Sequence, residues 1–125
     1  MIRRGLAILL LAMSATLMLC AASSSRWSHV PAKEHERSNP FAGQPQAAAA
    51  GDELYRDHCI GCHKANAAGD GHKRPSLRSE RIRTASDGDI EWFLRQGDLA
   101  HGMPSWSSLP EAQRWQIVAY LRSIQ

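Results

Sequence analysis

The chain is short of most of the residues that small domains use to build metal or redox sites. It has three cysteines in 125 residues, and the third, Cys20, is far from the other two. No second cysteine pair exists, so a paired-ligand zinc site lacks its ligands, as does a four-cysteine iron–sulfur cluster. No β-branched run flanks Cys59 and Cys62, which removes the βαβ setting of a thioredoxin-like redox pair. A basic excess is also missing where it would matter. The formal charge is +3, yet residues 51–125 carry ten basic and ten acidic side chains. The surplus lies before residue 51, so charge gives no support for a nucleic-acid partner. Apolar residues are sparse between Ser23 and Ala50, and the 75 residues that follow make only a marginal hydrophobic core. Methionine is rare as well, and Met103 is the only one beyond the first 22 residues.

What is present is Cys59-Ile60-Gly61-Cys62-His63, the C-x-x-C-H spacing of a c-type haem attachment site. Haem carries two vinyl groups on neighbouring edges, and each takes one thiol to form a thioether. Residues three apart share a helix face, so Cys59 and Cys62 can both reach the ring. His63 lies four residues from Cys59 on the same side and can offer an imidazole nitrogen to the iron. A disulfide between the two cysteines would leave His63 unexplained. A buried haem would also supply the apolar volume that so short a domain lacks. The domain without it is therefore expected to fold poorly, as small metallodomains do without metal.

Other motifs stand at fixed separations around this one: Gly51 and Tyr55 before it, Pro75-Ser76-Leu77 after it, then Gly102-Met103-Pro104-Ser105-Trp106 and a stretch from Trp115 to Leu121. In that arrangement residues 51–125 resemble the monohaem class I cytochromes c. The resemblance implies an all-α fold, a small cytochrome c fold of three to four helices wrapped around one covalently bound haem. It implies cofactor contacts from Cys59, Cys62, His63, Pro75, Leu77, Met103 and Trp106, with iron held by His63 and Met103. In the family the proline carbonyl accepts a hydrogen bond from the second nitrogen of the haem histidine, which fixes the ring plane and tautomer. Leu77 is expected to pack on the haem face and Trp106 to shield its edge. The closing helix is expected to cross the first at Gly51, with Tyr55 near Tyr120. A thioether is a soft ligand, and His/Met ligation raises the reduction potential of haem iron. With both axial positions filled, no site is open for substrate. The expected protein is thus an electron carrier between a redox donor and acceptor, not an enzyme. The alternatives are a fixed haem subunit of a quinoprotein dehydrogenase or oxidase, and an open-site sensor or peroxidase. His101 lacks the family match as a ligand.

The remaining stretches organise around that domain, which is expected to be a monomer. Arg3 and Arg4 precede an apolar run from Leu6 to Ala22, followed by small residues. Residues 1–22 read as a secretory signal peptide or a retained membrane anchor. Cys20 adds lipidation as a third possibility, although Leu19 stands where that motif wants a small residue. Export to the periplasm, or a periplasm-facing anchor, agrees with the family's haem attachment outside the cytoplasmic membrane. Residues 23–50, with Pro31, Pro40 and Pro45, read as a flexible linker. As a coil it would span about 30 Å, with Asn39-Pro40-Phe41 a candidate for docking. Helices are expected over Asp52 to His63, with its acids in the first turn. A second is expected over Ser86 to Gly97, with a Ser86/Asp89 capping box and Gly97 at its end. A third runs over Pro110 to Ile124, opened by a Ser108/Glu111 box or by Pro110. Residues 64–83 are expected to be mostly loop. Their basic run, Lys73, Arg74, Arg78, Arg81 and Arg83, reads as a solvated face, with Arg81 and Arg83 candidates for haem propionates. His58 is expected at the surface, and Trp92 at the haem edge or the surface.

Overall fold

The computed structural model describes residues 26–125. The expected leader, Met1–Ala22 with Cys20, lies outside the described residues. Among those described, the protein is helical and has no strand beyond one isolated bridge, which bears out the all-α expectation. No described helix is long and apolar enough to cross a membrane.

The helices are α1 (Ala32–His35), α2 (Pro45–His58), α3 (Ile60–His63), α4 (Glu80–Thr84), α5 (Asp87–Gln96) and α6 (Glu111–Ser123), with 3₁₀ turns at Arg26–His29 and Leu99–His101. The core is the crossing of α2 and α6. Gly51 makes it possible, because a Cβ there would lie 2.0 Å from the Gln116 carbonyl oxygen. Tyr55 and Tyr120 meet beside it with ring centroids 5.1 Å apart. Ile117, Val118 and Leu121 of α6 are buried, as are Ile90 and Leu94 of α5. α5 begins as its sequence predicts. Ser86 Oγ accepts from the Asp89 N–H, and the Asp89 carboxylate accepts from the Ser86 N–H. Arg122 then joins α6 to the start of α5 through Asp87 at 2.6 Å, and to α4 through the Ile82 carbonyl at 2.8 Å.

Three expectations need correction. First, residues 26–50 are not a free linker. Pro45 does not break a helix but opens one at its first position, where its missing N–H costs nothing. The run Gln46 to Ala50 is strongly helix-forming, and Ala47 is buried. Upstream, the Asn39 amide is buried and donates to the Trp115 carbonyl at 2.9 Å, and Phe41 packs against the core. Second, the helix expected over Asp52 to His63 starts earlier and breaks at Cys59, whose φ of −116° and ψ of −31° separate α2 from α3. Asp52 and Glu53 therefore sit mid-helix, where Asp52 pairs with Arg56 one turn on. Third, α6 uses neither expected start. Pro110 is its N-cap with no side-chain cap, and Glu111 turns instead to Arg37 and the Trp115 indole.

Candidate functional site

The break at Cys59 sets up the site. The Cys59 N–H still bonds back to Tyr55 at 2.8 Å, while its carbonyl accepts from Cys62 and His63 at 3.1 and 2.9 Å. One residue thus ends α2 and starts the single turn that carries the motif. Both cysteines are free thiols, Cys59 buried and Cys62 half-buried. Burial pushes the Cys59 thiol up to about 11, with the neighbouring Cys62 adding to it, so it stays neutral at ordinary pH.

His63 is oriented by the loop that follows. Its Nδ1 lies 3.1 Å from the Pro75 carbonyl oxygen. A carbonyl only accepts, so Nδ1 carries the proton and Nε2 keeps its lone pair. Burial lowers the His63 pKa against the opposing pull of that bond, and the charge of Arg74 lowers it further. The ring is held neutral, the form that ligates metal.

Pro75 is brought there by a folded-back loop. The Gly69 N–H bonds the His63 carbonyl at 3.0 Å, and the Leu77 N–H bonds Ala67 at 2.8 Å. Gly69 has φ +68°, and a Cβ on it would lie 2.0 Å from the Arg74 oxygen. The Asp70 carboxylate accepts from the His72 and Arg74 N–H groups, both at 2.9 Å. Those backbone bonds hold its pKa below the usual carboxylate value. The exit from α3 is tight as well. Lys64 has φ 67° and ψ 161°, and its carbonyl accepts from the Tyr55 hydroxyl at 2.7 Å.

Met103 comes from a separate segment, just beyond the turn Leu99–His101 that follows α5. It pairs with Asp98 through two backbone hydrogen bonds of 2.8 and 2.9 Å. Gly102 in the left-handed region (φ +82°) turns the chain between them. Gly97 ends α5 with φ +68°, and a Cβ on it would meet Pro104 at 2.6 Å. Beyond it the Trp106 N–H bonds the Leu94 carbonyl at 2.9 Å, and Ser105 Oγ donates to Arg95 at 2.6 Å. The methionine loop is thereby fixed onto the end of α5.

All seven residues expected to contact the cofactor, Cys59, Cys62, His63, Pro75, Leu77, Met103 and Trp106, line one cavity of about 780 Å³. Its remaining wall is largely apolar, with Ile82, Ile90, Phe93, Leu94, Ile117 and Leu121. That volume lies within the usual range for a bound organic cofactor. His58 is exposed, but its ring lies 5.0 Å from that of Trp106, at the cavity rim. His101 is exposed and bonded to Asp98 at 2.9 Å. Of the basic run, Lys73, Arg74 and Arg81 line the cavity. Arg83 is instead held by Glu80 at 2.8 Å and by the Arg78 carbonyl at 2.7 Å. Trp92 is half-buried and away from the cavity. Sequence reasoning missed Trp27, a wall residue from the segment expected to be linker. A lone tryptophan in a polar stretch gives no periodic signal.

A scan against protein-family models matches residues 46–121 to the family described as Cytochrome C oxidase, cbb3-type, subunit III. No curated protein matches the chain. With well over half of its length matched, the chain belongs to this cbb3-type family of monohaem class I cytochrome c domains, proteins of haem-based electron transfer.

Proposed function

We propose that the protein is an exported one-electron carrier. Cys59 and Cys62 would hold one haem c, and His63 and Met103 would supply the ligands to its iron. The observation that carries this reading is the meeting of His63 and Met103 in one cavity, His63 anchored by Nδ1 on Pro75 with Nε2 left to ligate. The donor set fits the group: two thiols one helical turn apart, a neutral imidazole, a thioether, and apolar side chains between them. When bound, haem c supplies a one-electron iron couple. The chain's own residues would hold both ligands in place whichever oxidation state the iron takes. The bond from His63 to Pro75 fixes the imidazole, and the paired backbone of Asp98 and Met103 fixes the thioether. A fixed ligand set keeps reorganisation small, which suits transfer and leaves no position open for substrate. Lys73, Arg74 and Arg81 at the cavity support contact with a partner of opposite charge.

The family's description supports a second reading, a fixed haem-bearing subunit of a terminal oxidase. Both readings share the same ligands and face the periplasm. They differ in whether the partner is permanent, which co-purification from membranes decides. Optical spectra of the protein matured with haem-attachment machinery test the site itself. The wild type should be low-spin in both oxidation states, with a sulfur–iron charge-transfer band when oxidised, and should not respond to carbon monoxide. Met103→Ala should lose that band and bind carbon monoxide. A high-spin wild type that binds carbon monoxide would refute the carrier reading.

A further inference from the structure

The family match begins at residue 46, yet part of the cavity wall comes from far earlier in the chain. Trp27, in the turn Arg26–His29, lines the cavity. Its ring lies flat on that of Phe93 in α5, with centroids 4.6 Å apart and planes 10° apart. Phe93 lines the same cavity.

We infer that Trp27 is a cofactor-contacting residue, carried by a strap of residues 26–44 that closes the haem cavity from outside the part of the chain shared with the family. The inference rests on the haem reading above and extends it to a residue that reading does not contain.

The strap is held in place at several independent points. The Glu34 carbonyl lies so close to α5 that a Cβ on Gly88 would come within 1.9 Å of it. The Arg95 guanidinium reaches the Glu34 carboxylate at 2.9 Å, and His35 Nδ1 reaches Asp89 at 2.9 Å. The Ser86 hydroxyl donates to the His35 carbonyl at 2.7 Å. Arg37 bonds Glu34 and Glu111, and its guanidinium lies 5.1 Å over the Trp115 ring. These contacts join the strap to α5 and α6, the two helices that supply the cavity's apolar floor. The clamp fixes residues 34–37, and the stack on Phe93 seats Trp27 itself. An indole is the largest apolar surface a side chain offers. Set against an iron site it excludes water, and water favours the more highly charged oxidised state. The strap therefore raises the reduction potential and slows entry of outside ligands.

The test uses the full-length holoprotein. Its low-spin, methionine-ligated spectrum is checked first. A wild type with no haem spectrum refutes the haem reading and the role of Trp27 with it, whereas a haem spectrum that is not low-spin refutes the His/Met ligation alone. Given that spectrum, the Trp27 indole proton is followed by NMR in the oxidised and reduced states, assigned through its loss in Trp27→Phe. It should shift markedly between the states, whereas the indole of Trp92, away from the cavity, should shift far less. Trp27→Ala should lower the reduction potential and bind imidazole several-fold faster when oxidised. Trp27→Phe should stay near the wild type. Gly88→Ala, which displaces the strap without touching the cavity wall, should behave like Trp27→Ala. The inference is overturned if the Trp27 indole shifts no more than that of Trp92, a result that needs no destabilised variant. It is equally overturned if Trp27→Ala keeps the wild-type potential and imidazole rate.

Discussion

Gly51→Ala separates two lines of reasoning that predict opposite signs. Gly51 lies inside α2 with no positive φ, so helix propensity alone favours alanine by about 0.8–1 kcal/mol. The helix crossing predicts the reverse. The added Cβ would lie 2.0 Å from the Gln116 carbonyl oxygen, 2.6 Å from its carbon and 2.8 Å from the Tyr120 Cβ. Two of those three atoms are backbone, so no rotamer change relieves the contact, and α2 must move away from α6. Overpacking of a tight core costs about 1–3 kcal/mol. The upper end applies here, because the shift opens the contact between Tyr55 and Tyr120 and exposes Ile117 and Val118, which at 1% and 0% exposure are among the most buried residues of the core. After the propensity gain, a net loss of about 2 kcal/mol remains, roughly 8–16 °C in Tm for a domain of this size. Gly61→Ala is the control, since a Cβ there would meet nothing within 4 Å. Thermal unfolding of the oxidised holoprotein, followed by far-UV circular dichroism, should show Gly51→Ala melting well below the wild type and Gly61→Ala at or slightly above it. A Gly51→Ala protein melting at or above the wild type would refute the crossing argument.

Four other outcomes follow from the same structure. Glu91 is fully buried, and Arg114 bonds it at 2.7 Å. Glu91→Ala leaves that guanidinium buried without its carboxylate and should cost about 3–5 kcal/mol. Asp52→Asn, at an exposed pair with Arg56, should cost under about 1 kcal/mol, and denaturant titrations of the two variants give the comparison. Lys64 occupies a φ/ψ region suited only to glycine, so Lys64→Gly should raise stability by about 1 kcal/mol once glycine's own entropy is set against the relieved strain; an unchanged midpoint would deny that strain. Two carboxylates titrate low, Glu34 in the strap and Glu111 of α6, which bonds the strap's Arg37. Glu34 is lowered by the Arg37 hydrogen bond and the Arg95 charge, which outweigh its burial, and Glu111 by the Trp115 indole and Arg37. Folded values below the unfolded carboxylate value mean that this stability is complete above pH 4.5 and is lost as pH falls through the depressed folded values. Denaturant midpoints should therefore drop below pH 4.5, and the drop should shrink in a Glu34→Gln/Glu111→Gln double variant.

The parts of the protein that were legible in its sequence are those built from local spacing. Cys59, Cys62 and His63 occupy a single helical turn, and Ser86 and Asp89 make a capping box within one turn. Gly51 stands at its crossing because only glycine allows so close an approach. The first two signals are complete within a few residues, whereas the crossing at Gly51 was legible only through the family resemblance, because its partner Gln116 lies 65 residues on. The strap is of another kind. Asn39 reaches Trp115, Arg37 reaches Glu111 and Glu34 reaches Arg95 across 61 to 76 residues of chain. Apart from Asn39-Pro40-Phe41, already a candidate for docking, and the lone Trp27, its contacts are single polar side chains with no period, so a segment poor in apolar residues reads as linker although it is specifically docked. Pro45 misleads for a related reason: the same residue ends a helix from inside and begins one at its first position.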